Sequence, residues 1–565
     1  MNRLLLPTGA PSLGGFSSWL VVTGLSILAS LAVLLPFFWL GSASGHDFEF
    51  HVASWLDVAY QWRHGVVYPR WTAWTNFGFG EPRYIFYPPL SWMLGAALTF
   101  IVPVAWVPAV FIFLTQTFAG LSTFLLLRRL VSGRAASLGA VFYAANPYAL
   151  LNTYIRSDFA EQLACAFFPL LLLSALRLAT LLDKEKSDLS AIPAFALPFA
   201  AVWLSNAPAG VIASYAMALL FAAAALLKRS GSIAVRSASG LALGLGLSAF
   251  YLLPAAYEQR WINIAQALSS GLLPSQNFLF TGMDDVEHTW FNWIASICAL
   301  AVILMAALTA LASRKMASAV APPEAANPLW RSLLLLGAVA TLLMIRITSP
   351  AWTVLPKLRF VQFPWRWTSV LAVIGCCFLA AAAERRRGWL WFALYVGLAV
   401  PLGHFLVDNT WWDADEMTTQ QAALSTGKGY EGVDEYDPLG DDHLDLPKQA
   451  PVLRLLAESS NDRAATPPAG TVVTIAWLPN EKWVVADSST PARLALRLLN
   501  YPAWRVTVND RVVEPERPDG TNQMVIPIPA GHSQIKVVFT RTPDRTAGIA
   551  LSLLSLLIVL LLFRL

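Results

Sequence analysis

The chain has 565 residues, of which 56% are hydrophobic and 13% are charged, and its mean hydropathy is +0.55. Soluble domains carry about 25% charged residues, so this composition excludes an ordinary soluble protein and indicates a polytopic membrane protein. The formal net charge of +4 is spread thinly, and no basic block suggests a nucleic-acid partner. All 4 cysteines lie inside apolar runs, which favours packing roles over disulfides or metal ligands.

A membrane-spanning helix needs about 20 apolar residues. On this criterion we expect about twelve spans, at residues 19–40, 107–127, 136–151, 163–182, 189–204, 209–227, 238–256, 290–311, 330–347, 367–383, 388–407 and 547–562. The first run is longer than the apolar core of about 7–15 residues in a signal peptide, which predicts an uncleaved anchor.

Residues 89–104 are apolar but short, since a helix of this length extends only about 24 Å. If they stay at the membrane surface, the basic clusters of the later loops fall on the same side as Arg3; these are Arg128/Arg129/Arg134, Lys184/Lys186, Lys228/Arg229/Arg236, Arg314/Lys315 and Arg385/Arg386/Arg387. The positive-inside rule makes that side cytoplasmic. We therefore predict a juxtamembrane or re-entrant helix at 89–104, with a thirteen-span arrangement as the alternative.

This orientation predicts three parts: a transmembrane domain at 1–407 with a first outer loop at 41–106, an outward domain at 408–545, and a last span within 546–565. Both termini are then cytoplasmic. In the first loop, apolar residues recur at helical spacing at Val52, Trp55, Val58, Ala59 and Trp62. The outward domain begins with an acidic segment and turns strand-like from about residue 471, where short alternating runs predict a small β-sandwich.

The first candidate site is the sequence "GHDFEFH" directly after the first span, which contains His46, Asp47, Glu49 and His51. A carboxylate beside apolar walls at a membrane surface can have a tuned pKa and act as a general base, for which Asp47 is the candidate. An ordinary solvated loop is the alternative. The two histidines lie five residues apart with acids between them, which does not suit zinc binding on one helical face.

The second candidate site is "NTYIRSDFAE", where Arg156, Asp158 and Glu161 crowd a short turn between two spans. Charged groups at membrane depth are costly and often line a functional cavity. An ion pair that fixes the turn is the alternative. If Asp47 and Asp158 converge, the site has one candidate base and one supporting acid.

Two further segments carry basic or aromatic residues on the predicted outer side. In "LPKLRFVQFPWRW", Arg359 and Arg366 precede a span, where they would bind phosphate or anchor to lipid headgroups. In "FGFGEPRYIFYPPL", glycines and aromatic residues predict a shaped loop that includes Arg83 and Tyr87. His288 lies in a loop at 257–289 that is a weaker candidate for capping the cavity.

These motifs, in this order, resemble the GT-C superfamily of membrane glycosyltransferases. More narrowly, "FGFGEPRYIFYPPLSW", "NPYALLNTYIRSDFAE", "LSAFYLLPAAYE" and "LRFVQFPWRW" are similar to bacterial membrane proteins described as 6-pyruvoyl-tetrahydropterin synthase-related and to their YfhO-like relatives. The resemblance covers nearly the whole chain. It implies an all-α GT-C-like transmembrane domain in the bacterial cytoplasmic membrane, with the active site facing outward. Pterin chemistry is not supported, because the zinc-binding histidine triad of the soluble synthase is absent from the sequence.

The resemblance also implies roles for individual residues. Asp47 matches the acid of the first loop, the expected base for the acceptor hydroxyl, and Asp158 matches the second acid, near the donor phosphate or a metal. Tyr87 stands where some relatives carry a lysine that contacts phosphate. The positive charge would then come from Arg83, Arg156 or Arg366, with Glu161 beside them.

The expected donor is a polyprenyl-phosphate-linked sugar, and the expected acceptor is a cell-envelope glycan or lipid. Some GT-C enzymes need a divalent cation, Mg²⁺ or Mn²⁺, and others do not; the sequence leaves this open. The sequence also leaves open a transporter or flippase for a lipid-linked glycan and a non-catalytic scaffold built on the same fold.

Overall fold

The computed structural model describes residues 16–182, 189–313, 323–384, 388–440, 446–458, 468–517 and 521–564. Its helices are α1 (Phe16–Leu34), α2 (Phe37–Leu40), α3 (Phe48–Arg63), α4 (Thr75–Gly78), α5 (Arg83–Phe86), α6 (Pro89–Leu98), α7 (Val107–Leu127), α8 (Gly133–Ala144), α9 (Pro147–Leu151), α10 (Phe159–Leu178), α11 (Ala191–Ser205), α12 (Ala207–Leu227), α13 (Gly231–Leu247), α14 (Ala249–Glu258), α15 (Val286–Ser313), α16 (Pro323–Leu343), α17 (Ser349–Val354), α18 (Thr368–Ala383), α19 (Gly388–Asp408), α20 (Glu416–Ser425) and α21 (Pro543–Leu562). Short 3₁₀ and π turns connect several of them.

Eight helical segments are long and apolar enough to cross a membrane; they are Trp19–Leu40, Val104–Leu127, Phe159–Leu178, Ala207–Leu227, Val286–Ser313, Pro364–Ala383, Gly388–Asp408 and Pro543–Leu562. Two bent pairs meet the same test together: Gly231–Leu247 with Ala249–Trp261, bent by 75°, and Pro328–Leu343 with Arg346–Val354, bent by 90°. The described residues therefore form a multi-pass membrane protein with 8 to 10 spans, fewer than the twelve predicted.

Helix breaks account for the difference in span number. The predicted span at 136–151 divides at Asn146, whose side chain accepts hydrogen bonds from the first backbone N–H groups of α9. The predicted span at 189–204 is α11, a helix of 15 residues that ends where Asn206 caps α12. Apolar content does not reveal such breaks. Helix α6 has 10 residues and extends only about 15 Å, which agrees with the prediction that 89–104 does not span.

Among the described residues, two larger antiparallel sheets follow α19 in the chain. Their strands, together with a short pair near the membrane, are β1 (Ser42–Ala43), β2 (Trp412–Asp413), β3 (Leu453–Ala457), β4 (Gly470–Leu478), β5 (Glu481–Ser488), β6 (Ala492–Leu499), β7 (Trp504–Val508), β8 (Arg511–Val512), β9 (Gln523–Ile528) and β10 (Gly531–Phe539). One sheet has the order β4-β5-β10-β7-β8 and the other β3-β6-β9. The sequence predicts strand-like structure from about residue 471; β3, at Leu453–Ala457, lies before that point and was not predicted, because it follows the acidic segment without an alternating run.

The residues that follow α19 lie against the first loop, which is the segment between α2 and α7. Strand β1 pairs with β2, and the segment of residues 427–439, here called the crossing segment, runs over the loop. Its Tyr430 exchanges backbone hydrogen bonds with Trp74 (3.1 Å) and Phe77 (3.0 Å), while Asp437 accepts from the backbone of Asn263 (2.9 Å). Phe77 has a left-handed φ of 55°, which turns the loop toward this contact. The crossing segment thereby joins the first loop to the loop that follows α14.

Candidate active site

The two acidic motifs meet through their backbones. The Asp47 N–H donates to the carbonyl of Arg156 at 2.9 Å, and the Gly45 N–H donates to the hydroxyl of Ser157 at 3.0 Å. A Cβ at Gly45 would lie 2.3 Å from the carbonyl oxygen of Ile155, so the approach requires glycine at this position. Ser157 has a left-handed φ of 52° and ends a π-helical turn over Asn152–Arg156. Such turns are frequent at functional sites, and this one brings Asp158 next to the first loop.

Arg156 lies at the centre of a buried charged cluster. Its Nη2 atom is 2.7 Å from Asp158 and 3.4 Å from Asp47, and its Nη1 atom is 2.6 Å from Glu161. Nη1 also donates to the side chain of Asn152 at 2.7 Å. The guanidinium is 2% exposed, and all its nearest partners are acceptors in the protein. Arg156 therefore holds the acids of both motifs in place, and its donors are already occupied.

Arg366 approaches the same acids from the loop before α18. Its Nη2 lies 3.7 Å from Asp158, and its Nε lies 3.1 Å from Glu161 without making a hydrogen bond. Its Nη1 donates to the backbone of Val361 at 2.9 Å. Among the arginines predicted to bind phosphate, Arg366 is thus a buried cation of this cluster, with its Nε facing Glu161. Glu161 also accepts the hydroxyl of Tyr148.

Asp158 is held in its ionised form. Burial alone would raise the pKa of Asp158, but Arg156, His51 and Arg366 outweigh it and keep that pKa far below its usual range. Its Oδ1 atom also accepts the backbone N–H of Glu161 at 2.8 Å, which caps α10. Such a carboxylate is a weak base, so its part in the site is to hold the arginines.

We expect this ionisation to appear in the pH dependence of stability. The folded-state pKa of Asp158 is lowered, so its stabilising contribution is present above the unfolded pKa of about 3.9 and is lost as the pH falls further. Unfolding midpoints measured in detergent between pH 3 and pH 7 should fall at the acid end. Asp158→Asn should flatten that decrease, and Glu49→Gln, which changes an exposed acid, should leave it unchanged. An equally steep decrease in Asp158→Asn would contradict the assignment.

Asp47 differs from Asp158 in its exposure. Its side chain is 41% exposed, and its described ion pair is the 3.4 Å contact with Arg156. Asp47 is therefore the acid of the cluster that a substrate can reach, whereas Asp158 and Glu161 are buried. That Asp47 acts as the base, with the buried acids in support, stays a prediction.

Tyr87 lies in the site, and Arg83 belongs to a neighbouring network. Burial raises the pKa of Tyr87 well above its usual value, and the charges of Asp158 and Asp47 raise it further, so its hydroxyl stays neutral beside both acids. The guanidinium of Arg83 is buried against Glu81 (2.6 Å) and Ser54 (3.0 Å). The prediction that Arg83 supplies charge to the donor phosphate is therefore not favoured, because its donors are bound within the first loop.

The predicted histidines take two positions. His51 is 2% exposed, and its Nε2 lies 3.7 Å from Asp158, so it supports that acid. His46 is exposed, with its ring 4.6 Å from that of Phe291 and its Nδ1 3.2 Å from the carbonyl oxygen of Ile155. His288 lies on the same aromatic ring, 6.2 Å away, and its Nε2 is 2.8 Å from Asn277 Oδ1. His46 and His288 thus lie on either side of Phe291, and no described ion pair joins them to the acids of the cluster.

Arg359 and Glu49 are exposed on the surface. The guanidinium of Arg359 lies over the ring of Phe360 at 5.1 Å, and the described contacts do not connect it with the charged cluster. Glu49 lies in the first turn of α3 and faces solvent. Both residues were predicted to take part in the site, and the structure brings neither into contact with Arg156 or Arg366.

Glu435 is a site residue that sequence reasoning missed. It lies in the crossing segment, where burial raises its pKa; Asp47 raises it further, while Arg83 and Arg366 lower it. The neighbouring Tyr436 stacks on Phe86 with ring centroids 6.1 Å apart. In sequence Glu435 is one of many acids in a polar stretch, and no motif distinguishes it from the others.

A metal site is not apparent in the described ranges. No group of three or more His, Cys, Asp or Glu side chains there is arranged to hold a metal ion. The acids of the cluster are instead ion-paired with Arg156 and Arg366. Mg²⁺ or Mn²⁺ therefore has no preformed set of ligands in this part of the chain.

Comparison with known proteins adds a family. The model of the 6-pyruvoyl-tetrahydropterin synthase related domain, a membrane protein family, matches residues 84–412. No curated protein gives a significant match. Among solved structures, that of ArnT from Cupriavidus metallidurans bound to undecaprenyl phosphate aligns with 84% of this chain and 98% of its own, at 13% identity and a TM-score of 0.31. That score is too low to carry an argument about fold or activity.

The family match covers more than half of the chain and all residues of the cluster except Asp47 and His51. The chain therefore belongs to the 6-pyruvoyl-tetrahydropterin synthase-related family of membrane proteins.

Proposed function

We propose that the protein is a membrane glycosyltransferase of the GT-C type, which moves a sugar from a polyprenyl-phosphate-type lipid to a glycan, lipid or polymer acceptor on the outer face of the bacterial cytoplasmic membrane. The observation that carries the proposal is the pairing of a half-exposed Asp47 with buried Asp158, Arg156 and Arg366 at the membrane surface. The motif resemblance supports the same activity.

Asp47 is the proposed general base for the acceptor hydroxyl. In the proposed step, an acceptor hydroxyl attacks the anomeric carbon, its proton passes to Asp47, and the bond from that carbon to the phosphate oxygen breaks. The lipid phosphate leaves with the bonding electrons. Arg156 orients Asp47 through the 3.4 Å contact of its Nη2 atom.

Arg366 is the proposed contact for the donor phosphate. Charge-assisted hydrogen bonds from arginine suit phosphate oxygens, and Arg366 carries its positive charge beside Asp158, with Nη2 3.7 Å from that acid. As the glycosidic bond breaks, negative charge grows on the leaving phosphate, so this contact strengthens in the transition state. No step is assigned to a metal, because the described acids are bound to arginines.

The experiment is transfer of a labelled sugar in proteoliposomes supplied with polyprenyl-phosphate-linked sugars and membrane acceptors. We expect labelled product to form only when the protein is present. Movement of the labelled donor across the bilayer without product would instead indicate a flippase, and neither result with any donor would indicate a scaffold.

Arg366→Gln should lower kcat/KM for the donor by about ten- to hundredfold, since a hydrogen bond to a charged group contributes about 1.5–3 kcal/mol. Arg359→Gln removes an exposed arginine from the same loop and is the matched control, expected to retain wild-type kinetics. An unchanged kcat/KM in folded Arg366→Gln would remove Arg366 from the phosphate site.

A further inference from the structure

A row of exposed side chains crosses one end of the five-stranded sheet. Directly opposed residues of antiparallel strands share one face of a sheet. Leu478 of β4 is opposite Glu481 of β5, which is opposite Val538 of β10. Val538 is in turn opposite Arg505 of β7. All four side chains are exposed, Leu478 by 43% and Val538 by 38%. We call these four residues the span-end row.

The first turn of α21 packs against this end of the sheet. Strand β10 ends at Phe539 and α21 begins at Pro543, a separation of at most about 14 Å of chain. The Thr540 N–H donates to the carbonyl of Ala503 at 2.8 Å, and Nη1 of Arg545 donates to the carbonyl of Thr540 at 3.3 Å. The guanidinium of Arg545 also lies over the ring of Phe539 at 4.9 Å. These contacts fix the span-end row beside the point where the last span begins.

That point lies at a boundary of the membrane. Helix α21 is long and apolar enough to cross a bilayer, and its Leu551 and Leu554 are exposed, as expected for side chains that face lipid. Arg545 is paired with Glu258 at 2.7 Å, which brings the end of α14 to the same place. The neighbouring Tyr257 is exposed there, and tyrosine side chains favour the interface between lipid and water. The span-end row therefore lies within a few residues of the lipid-exposed part of the chain.

The composition of the row suits a lipid surface. A single exposed apolar side chain needs no explanation, but Leu478 and Val538 lie in one row next to a span. Arg505 ends that row, and the exposed Arg541 lies in the connection to α21. Arginine can lay its apolar stem along a surface while its guanidinium reaches phosphate oxygens. Two arginines against one glutamate, Glu481, favour headgroups with a net negative charge.

We propose that the span-end row, together with Arg541, rests on the membrane and binds the headgroups of anionic phospholipids. Arg505 and Arg541 donate to the lipid phosphates, and Leu478 and Val538 bury apolar surface at the boundary with the acyl chains. This contact holds the sheet at a fixed height above the bilayer. It does not depend on sugar transfer.

The test compares spin labels at the two ends of β4 in the full chain, at Leu478→Cys and at Thr471→Cys. Both positions are exposed, and they lie about 24 Å apart along the strand. The label's accessibility to oxygen, relative to that to a water-soluble nickel complex, is measured in phosphatidylcholine vesicles with and without phosphatidylglycerol. Labelled protein without either substitution gives the background, since Cys165 is partly exposed and the other three cysteines are buried.

With phosphatidylglycerol, the ratio at Leu478 should be about threefold higher than at Thr471, because the apolar boundary excludes the nickel complex. Arg505→Gln should reduce this difference. Arg511→Gln is the matched control, because it removes an exposed arginine from β8, beyond the opposite end of β7, and it should retain the difference.

Equal ratios at both positions would show a sheet that stands clear of the membrane and would overturn the proposal. A ratio at Leu478 that is just as high without phosphatidylglycerol would overturn the anionic headgroup as the ligand. Dipolar broadening between labels at Leu478 that disappears on dilution with unlabelled protein would show a contact between two copies instead. If Leu478→Cys does not fold, Val538→Cys in the same row should give the same high ratio, and a ratio equal to that at Thr471 would overturn the proposal.

Discussion

Asp47→Asn is expected to lower sugar transfer by about 10²–10⁴-fold, the usual contribution of a positioned general base. Asparagine keeps the size of the side chain and can still accept a hydrogen bond from Arg156, whose Nη2 lies 3.4 Å away. It cannot take the acceptor proton. Because the side chain of Asp47 is 41% exposed, folding should be little affected. The measurement is the initial rate of labelled sugar transfer in proteoliposomes, with the unfolding midpoint recorded for the same preparation.

Glu49→Gln is the matched control for this variant. Glu49 lies two residues further along the same helix start, is exposed, and has no described contact with the cluster. It should transfer sugar at the wild-type rate. Full activity in Asp47→Asn, or an equal loss in both variants, would remove Asp47 from the role of base.

The sequence raised the convergence of Asp47 and Asp158 only as a condition, and in the structure both carboxylates contact Arg156. Each lies next to a span, on loops that the distribution of basic residues places on one side of the membrane. Helix α3 was predictable from the helical spacing of Val52, Trp55 and Val58, and it covers Phe48–Arg63. The position of α3 and the predicted side of each loop follow from local periodicity and charge bias, which do not depend on contacts between distant parts of the chain.

Arg83 and Tyr87 are close in sequence, but their spacing did not predict that their side chains would contact different groups. Both lie in one short stretch, yet Glu81 captures Arg83 at 2.6 Å while Tyr87 turns toward His51, with ring centroids 5.8 Å apart. The sequence did not predict Glu435 as a site residue for a related reason. It reaches Asp47 only because the crossing segment pairs with Trp74 and Phe77 across more than three hundred residues of chain. Such contacts depend on tertiary packing, which no local pattern in the sequence encodes.

Replacing Arg156 by Gln should destabilise the protein by about 3–5 kcal/mol, the usual cost of removing one partner from a buried ion pair. The change leaves Asp158 and Glu161 buried, with Arg366 as the remaining close cation, at 3.7 and 3.1 Å. Arg156→Lys should recover only part of the loss, because one ammonium cannot reproduce the fork whose Nη1 and Nη2 atoms contact different acids. The measurement is the free energy of unfolding from denaturant titration in detergent micelles.

Arg359→Gln separates this effect from the general loss of a positive charge. Arg359 is exposed over Phe360, so its replacement should change stability by no more than about 0.5 kcal/mol. If Arg156→Gln were as stable as Arg359→Gln, the acids would have to be protonated in the folded state, contrary to the lowered pKa of Asp158. A large loss in Arg156→Gln that becomes smaller when Asp158→Asn is added would show that the cost comes from the unpaired carboxylate itself. The arginine at the centre of the cluster would then be required chiefly because it pairs with the buried carboxylates of Asp158 and Glu161, and its contact with Asp47 places the proposed base beside them.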